Sequence, residues 1–145
     1  MDTVLIRLAV ISDIPEIAGL LIELEHPYSE EGIQRQFELL TLRGDHSIIV
    51  AERDGNVIGL MTFHALDLLF EAERLGRITA LIVSEAERGK GIGKMLVAKA
   101  EELASESGCN RIELTSNIRR TEAHGFYELL GFGANWKRFI KKIVS

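Results

Sequence analysis

The stretch with the most chemical content is Arg88-Gly89-Lys90-Gly91-Ile92-Gly93-Lys94, three alternating glycines and three cations. Upstream, Arg77-Ile78-Thr79-Ala80-Leu81-Ile82-Val83 reads as a strand buried on both faces. Downstream, Ile92, Leu96, Ala100 and Leu103 recur at helical spacing. A glycine-rich turn that opens a helix leaves several N–H groups unpaired at the positive end of the helix dipole. The glycines let a ligand approach the backbone closely, and Arg88, Lys90 and Lys94 add charge. The chemistry is that of an anion cradle. A plain solvated basic loop is the alternative, and the position between buried strand and helix argues against it.

The known phosphate loops do not fit. A Walker A loop, G-x-x-x-x-G-K-[ST], would need glycine where Arg88 stands and a hydroxyl where Met95 stands. The dinucleotide pattern G-x-G-x-x-G puts Lys94 at its third glycine. What does fit is [QR]-x-x-G-x-[GA], carried by Arg88, Gly91 and Gly93. It resembles the acetyl-CoA signature of the GNAT superfamily of N-acetyltransferases. Farther on, Thr115-Ser116-Asn117 followed by Ala123-His124-Gly125-Phe126-Tyr127-Glu128-Leu129-Leu130-Gly131-Phe132 looks like the family's distal segment, A-x-x-F-Y-x-x-x-G-F after an asparagine. The resemblance runs from the first strand to Phe132.

Positioning these residues takes a conventional set of elements. Leu5 to Ile11 suits a first strand. Ser12 or Asp13 can cap a helix with Pro15 in its first turn, ending near His26 before Pro27. Ser29 to about Leu42 is a second helix. Ser47–Glu52 and Val57–Ala65 form a hairpin around Asp54-Gly55-Asn56. Leu66 to Gly76 has no clear assignment. After the central strand, loop and helix, Gly108 is a C-cap. Arg111–Thr115 is a strand, Ala123, Phe126, Tyr127 and Leu130 mark one face of a helix, and Trp136 to Ile143 offers a last strand. Read with the resemblance, this order implies an α/β GNAT-type fold over residues 1–145 as a single domain. Its sheet would be mixed and mostly antiparallel, with a splayed central parallel pair and helices on both faces.

Composition sets the outer limits. The chain has 145 residues and a net charge of −5, too short for two ordinary domains and unsuited to broad nucleic-acid binding. Its one cysteine, Cys109, reads as a small buried thiol rather than a nucleophile. No apolar run approaches ~18 residues, and no basic segment leads into an apolar one at the start, so a cytoplasmic protein without membrane contact is expected. Homodimer formation is left open.

The resemblance also implies roles. Backbone groups of Leu81, Ile82 and Val83 would pair with the pantetheine arm of coenzyme A. The N–H groups of Gly89, Lys90, Gly91, Ile92, Gly93 and Lys94 would hold its pyrophosphate, with Arg88 and Lys90 either on the phosphates or at the surface as ordinary cations. Asn117 would bind the pantetheine region, or serve only as a turn asparagine. Tyr127 matches the family tyrosine credited as general acid toward the departing thiolate. By spacing alone it is a core residue. Many members carry a base as glutamate on the central strand near Thr79 and Ala80, and this chain has none there. Glu23, Glu25 and His26 near the first helix junction, His64 in a strand and ordered water are the remaining candidates. His46 reads as a loop residue and His124 as solvated. No metal-ligand spacing and no Ser/His/Asp set appears in the sequence.

The reading is an acetyl-CoA-dependent N-acetyltransferase that moves acetyl directly to a small-molecule or peptide amine within a ternary complex. The alternative is a catalytically inactive coenzyme-A-binding sensor or protein-interaction module. Glu23, Glu25, Glu30, Glu31, Asp67, Glu71 and Glu73, weighed against Arg35, Arg43 and Arg74, point to a cationic acceptor.

Overall fold

Asp54-Gly55 does what its type demands. In the computed structural model, which describes residues 3–23, 28–70, 74–115, 121–134 and 138–143, both adopt positive φ, 51° and 80°. That is the two-residue turn whose twist suits a hairpin. It joins β2 (His46–Arg53) to β3 (Asn56–Leu66), with Arg53 opposite Asn56. β1 (Val4–Leu8) pairs antiparallel with β2, and β4 (Arg74–Val83) pairs antiparallel with β3. β5 (Cys109–Leu114) completes the order β1-β2-β3-β4-β5 and runs parallel to β4. Helix α3 (Ile92–Glu106) is the crossover that a parallel neighbour requires. The chain divides into two compact units, Met1–Glu113 and Leu114–Ser145. The second contains α4 (Thr121–Leu129).

Helices cover both faces of the sheet. Leu60 of β3 shares a buried cluster with Val50, Ile82 and two residues of α1 (Ile14–Ile22), Ile17 and Leu20. Gly59 is the next residue along, so it faces the other way. A Cβ there would stand 3.1 Å from Leu96 Cδ1 of α3. The inner stripe of α3 is Ile92, Leu96, Val97, Ala100 and Ala104. Ala104 takes the place expected of Leu103, which is half-buried. α2 (Glu30–Thr41) is capped by Ser29, whose hydroxyl accepts from the Gly32 N–H at 3.0 Å.

Two bulges were invisible in the sequence. β3 carries an extra residue, Ile58, opposite Ala51 and Glu52, and β4 carries Thr79 opposite Thr62 and Phe63. A bulge interrupts the ladder and bends its strand. At the first, the Val57 N–H donates to Glu16 Oε2 of α1 at 2.8 Å. Other expectations need correction. β4 starts at Arg74, inside the unassigned stretch, and leaves Arg77 and Thr79 exposed instead of buried on both faces. His46 opens β2 and is not a loop residue. His124 is half-buried, and Cys109 is only half-buried. Residues 138–143 form no strand, and Trp136 lies outside the described residues. Phe139-Ile140 followed by Lys141-Lys142 does not alternate, so no single face would be apolar.

An ion pair ties β1 to the start of α1. Arg7 Nη1 and Nη2 donate to Asp13 Oδ2 and Oδ1 at 2.8 and 2.9 Å, and the Val10 N–H donates to Oδ2 at 2.8 Å. The Arg7 guanidinium holds the Asp13 carboxyl below its ordinary value, against the effect of burial. The folded value lies below the unfolded one. The stabilisation is therefore complete above about pH 4 and is lost as pH falls through the folded value. Asp13→Ala should cost about 2–3 kcal/mol at pH 7, less than the roughly 3–5 of a fully buried pair, because the Arg7 side chain stays 25% exposed. Urea titrations should show that deficit shrinking below pH 4. A constant deficit across that range would show that packing, and not the ion pair, is what was lost.

Candidate active site

β4 ends at Val83 and a short turn, Glu85–Glu87, leads into the glycine loop. Gly89 and Gly91 have φ of 80° and 83°, the left-handed region where a side chain is strained. A Cβ on either would meet nothing within 4 Å, so the protein leaves open space against the loop. The Gly91 carbonyl accepts the first helical bond of α3, from the Met95 N–H at 3.1 Å. No side chain caps that terminus. The N–H groups of Ile92, Gly93 and Lys94 thus face outward at the positive end of the helix. Ile92 is 1% exposed and anchors the turn to the core.

The loop cations differ from one another. Arg88 Nη2 donates to Glu23 Oε2 at 2.8 Å and its Nε to the Val83 carbonyl at 3.2 Å. Glu23 Oε1 also accepts from the Glu85 N–H at 3.4 Å. Arg88 therefore braces the end of β4 against the end of α1. Lys90 donates to Glu87 Oε2 at 3.2 Å, and Arg53 pairs with the same carboxylate. Lys90 and then Arg53 hold the Glu87 carboxyl below its ordinary range. Lys94 is exposed and has no ion pair among the described residues.

β3 sets the register of the strand beside the loop. Leu81, Ile82 and Val83 stand opposite Met61, Leu60 and Gly59 of β3. Where the family glutamate was sought, the bulge brings two hydroxyls together, Thr79 Oγ1 and Thr62 Oγ1 at 2.5 Å. No sequence spacing signals that pair, since the bulge creates it. His64 is opposite Arg77, four residues before Leu81 and so about 13 Å along the strand. The structure does not bring it to the loop end of β4. It stacks instead on His46, directly across in β2, with ring centroids 3.9 Å apart. In the second unit Tyr127 is buried on α4, edge-on to Phe126 and Phe132 at 5.5 and 6.1 Å. Glu25, His26 and Asn117 lie outside the described residues.

A glycine cradle at an uncapped helix, fed by a strand with a parallel neighbour, is the arrangement the resemblance implies. The model of the acetyltransferase (GNAT) family matches residues 14–132. This chain belongs to that family. It is 38% identical over 94 residues to an aminoalkylphosphonate N-acetyltransferase of Salmonella typhimurium, an alignment covering 65% of this chain and 61% of that protein. Among solved structures, a transcriptional regulator from Bacillus halodurans C-125 superposes with a TM-score of 0.89 at 27% identity, covering 97% of this chain and all of that one. A glucosamine-6-phosphate N-acetyltransferase from Arabidopsis thaliana gives 0.85 at 27% identity, covering 98% and 99%. Acetyl-CoA-dependent N-acetyl transfer is the activity that this membership carries. Among the described residues no helix is long and apolar enough to cross a membrane.

Proposed function

We propose that the chain transfers acetyl from acetyl-CoA to the primary amine of a small molecule that also carries a phosphonate or phosphate, by direct attack in a ternary complex. One observation carries the reading of the donor site: α3 begins uncapped behind two left-handed glycines with open space against them. In this reading the N–H groups from Gly89 to Lys94 hold the pyrophosphate, Leu81–Val83 align the pantetheine arm and Asn117 steadies it. Lys94 is ready for a phosphate. Arg88 and Lys90 would first have to leave Glu23 and Glu87. Backbone N–H groups near Leu81 would stabilise the tetrahedral oxyanion, and Tyr127 would protonate the departing thiolate. With hydroxyls in place of a strand glutamate and His64 well along β3, the ammonium gives its proton to water.

The acceptor class rests on two supports. Two of the acidic residues that pointed to a cationic acceptor have ion-pair partners: Glu23 pairs with Arg88 and Asp67 with Arg74. Glu30 and Glu31 sit in the first turn of α2, where carboxylates suit the helix dipole, and Glu25, Glu71 and Glu73 lie outside the described residues. The Salmonella and Arabidopsis relatives, by name, act on amines that bear phosphonate or phosphate. Thiol release from acetyl-CoA should therefore be fastest with aminoalkylphosphonates or amino-sugar phosphates. Their kcat/KM should exceed that of the same amines without the anion by at least about tenfold, the worth of one charge-assisted hydrogen bond. Polyamines or lysine peptides as the best acceptors would restore the cationic reading. The Bacillus halodurans neighbour, described as a transcriptional regulator, keeps a second reading in view, a coenzyme-A sensor. Tight acetyl-CoA binding without thiol release to any amine would select it.

A further inference from the structure

We propose that Asp45, His46 and His64 form a binding site for one divalent transition-metal ion of the zinc or cobalt kind. The strand register makes the site. His46 and His64 are directly opposite on the antiparallel pair β2–β3, so their side chains share one face. Asp45 precedes His46 in the turn that enters β2. Its carbonyl accepts from the Ala65 N–H at 3.0 Å, and the His46 N–H donates to the Arg43 carbonyl at 3.3 Å, which pins the turn to the sheet. His46 Nε2 lies 3.7 Å from Asp45 Oδ1 and His64 Nε2 lies 3.6 Å from Oδ2. Both imidazoles thus turn their Nε2 atoms to one carboxylate, at distances too long for hydrogen bonds.

Those distances suit an ion between the groups. One ligand atom from each of the three residues lies within 4.8 Å of the other two. A tetrahedral ion with bonds of about 2.0–2.2 Å holds its ligands roughly 3.3–3.5 Å apart. Closing the gap takes a few tenths of an ångström to at most about 1.5 Å. The rings lie within 10° of parallel, so one must rotate to aim its lone pair at the ion. His64, with its side chain 28% exposed, has room to do so. Two imidazoles and a carboxylate select a zinc-like ion over calcium or magnesium, which prefer oxygen alone. Asp45, exposed at the rim, leaves further coordination positions to water. Arg43 is the nearby cation that opposes the ion, and the Asp45 charge offsets it. The cluster sits at the Arg77 end of β4, about 20 Å along the strand from Val83 and the anion loop.

The test uses the whole, tag-free chain stripped with a chelator and titrated with ZnCl₂ and with CoCl₂ in a calorimeter, with the visible spectrum of bound cobalt as a second readout. One ion should bind per chain with a micromolar Kd, and cobalt should develop bands typical of nitrogen ligation. His46→Gln, His64→Gln and Asp45→Asn should each weaken binding at least tenfold, the lower limit of what even outer-shell changes cost. His124→Gln should leave it unchanged. Circular dichroism of the metal-free variants shows that each is folded. Failure of the wild-type chain to bind either ion at 1 mM overturns the proposal. So does a Kd within threefold of wild type in any of the three ligand variants.

Discussion

Gly93→Val should lower acetyl-CoA affinity at least about a hundredfold in a chain that melts within a few degrees of wild type. Gly93 is the second residue of α3 and, unlike Gly89 and Gly91, its φ is not positive. A side chain there carries no left-handed strain, and valine is no worse a helix former than glycine. What it does is stand among the N–H groups of the first turn. If those groups hold a pyrophosphate through charge-assisted bonds worth about 1.5–3 kcal/mol each, the loss of one or two gives the hundredfold effect. Gly91→Val is the less clean experiment, because its φ of 83° adds roughly 1–2 kcal/mol of backbone strain to any loss of contact. Calorimetry with acetyl-CoA on both variants, beside thermal melts, separates the two effects. A Kd for Gly93→Val within threefold of wild type would remove the loop from the donor site.

What could be read from the sequence was local. Asp54-Gly55 names its own turn, Ser29 the start of its helix, and Ile92, Leu96 and Ala100 their own stripe, because each depends on neighbours within a few residues. The glycine loop was legible for the same reason: strand, turn and helix are contiguous. The rest depends on which strands pair and in what register. Arg88 could be read only as a phosphate contact or a surface cation, because its partner Glu23 stands 65 positions earlier. Thr79 was expected inside a buried strand, yet the bulge turns it outward onto Thr62. His46 and His64 are 18 positions apart, a separation that says nothing until β2 and β3 place them face to face. The exposed residues of β4 follow the same logic, since apolar composition cannot show which face of a strand will be covered. Site chemistry that arises from register has no signature in spacing.

Tyr127→Phe should lower turnover by about 10²–10⁴-fold while the acetyl-CoA Kd stays within a few-fold of wild type. The substitution deletes one oxygen and keeps the ring. The edge-on contacts with Phe126 and Phe132 are carbon contacts, and the Tyr127 carbonyl still accepts from the N–H groups of Leu130 and Phe132 at 3.1 and 3.0 Å. The end of α4 should therefore hold its shape. A core tyrosine would behave differently, with a cost in stability and none in the chemical step. The two roles part most clearly when the leaving group is varied. An acyl donor whose thiol is more acidic needs less help from a proton, so the deficit of Tyr127→Phe should shrink as that thiol's pKa falls. A purely structural defect would slow every donor alike. Equal deficits across donors, or full turnover in the variant with chemistry shown to limit the rate, would return Tyr127 to the core and leave the thiolate to be protonated by water.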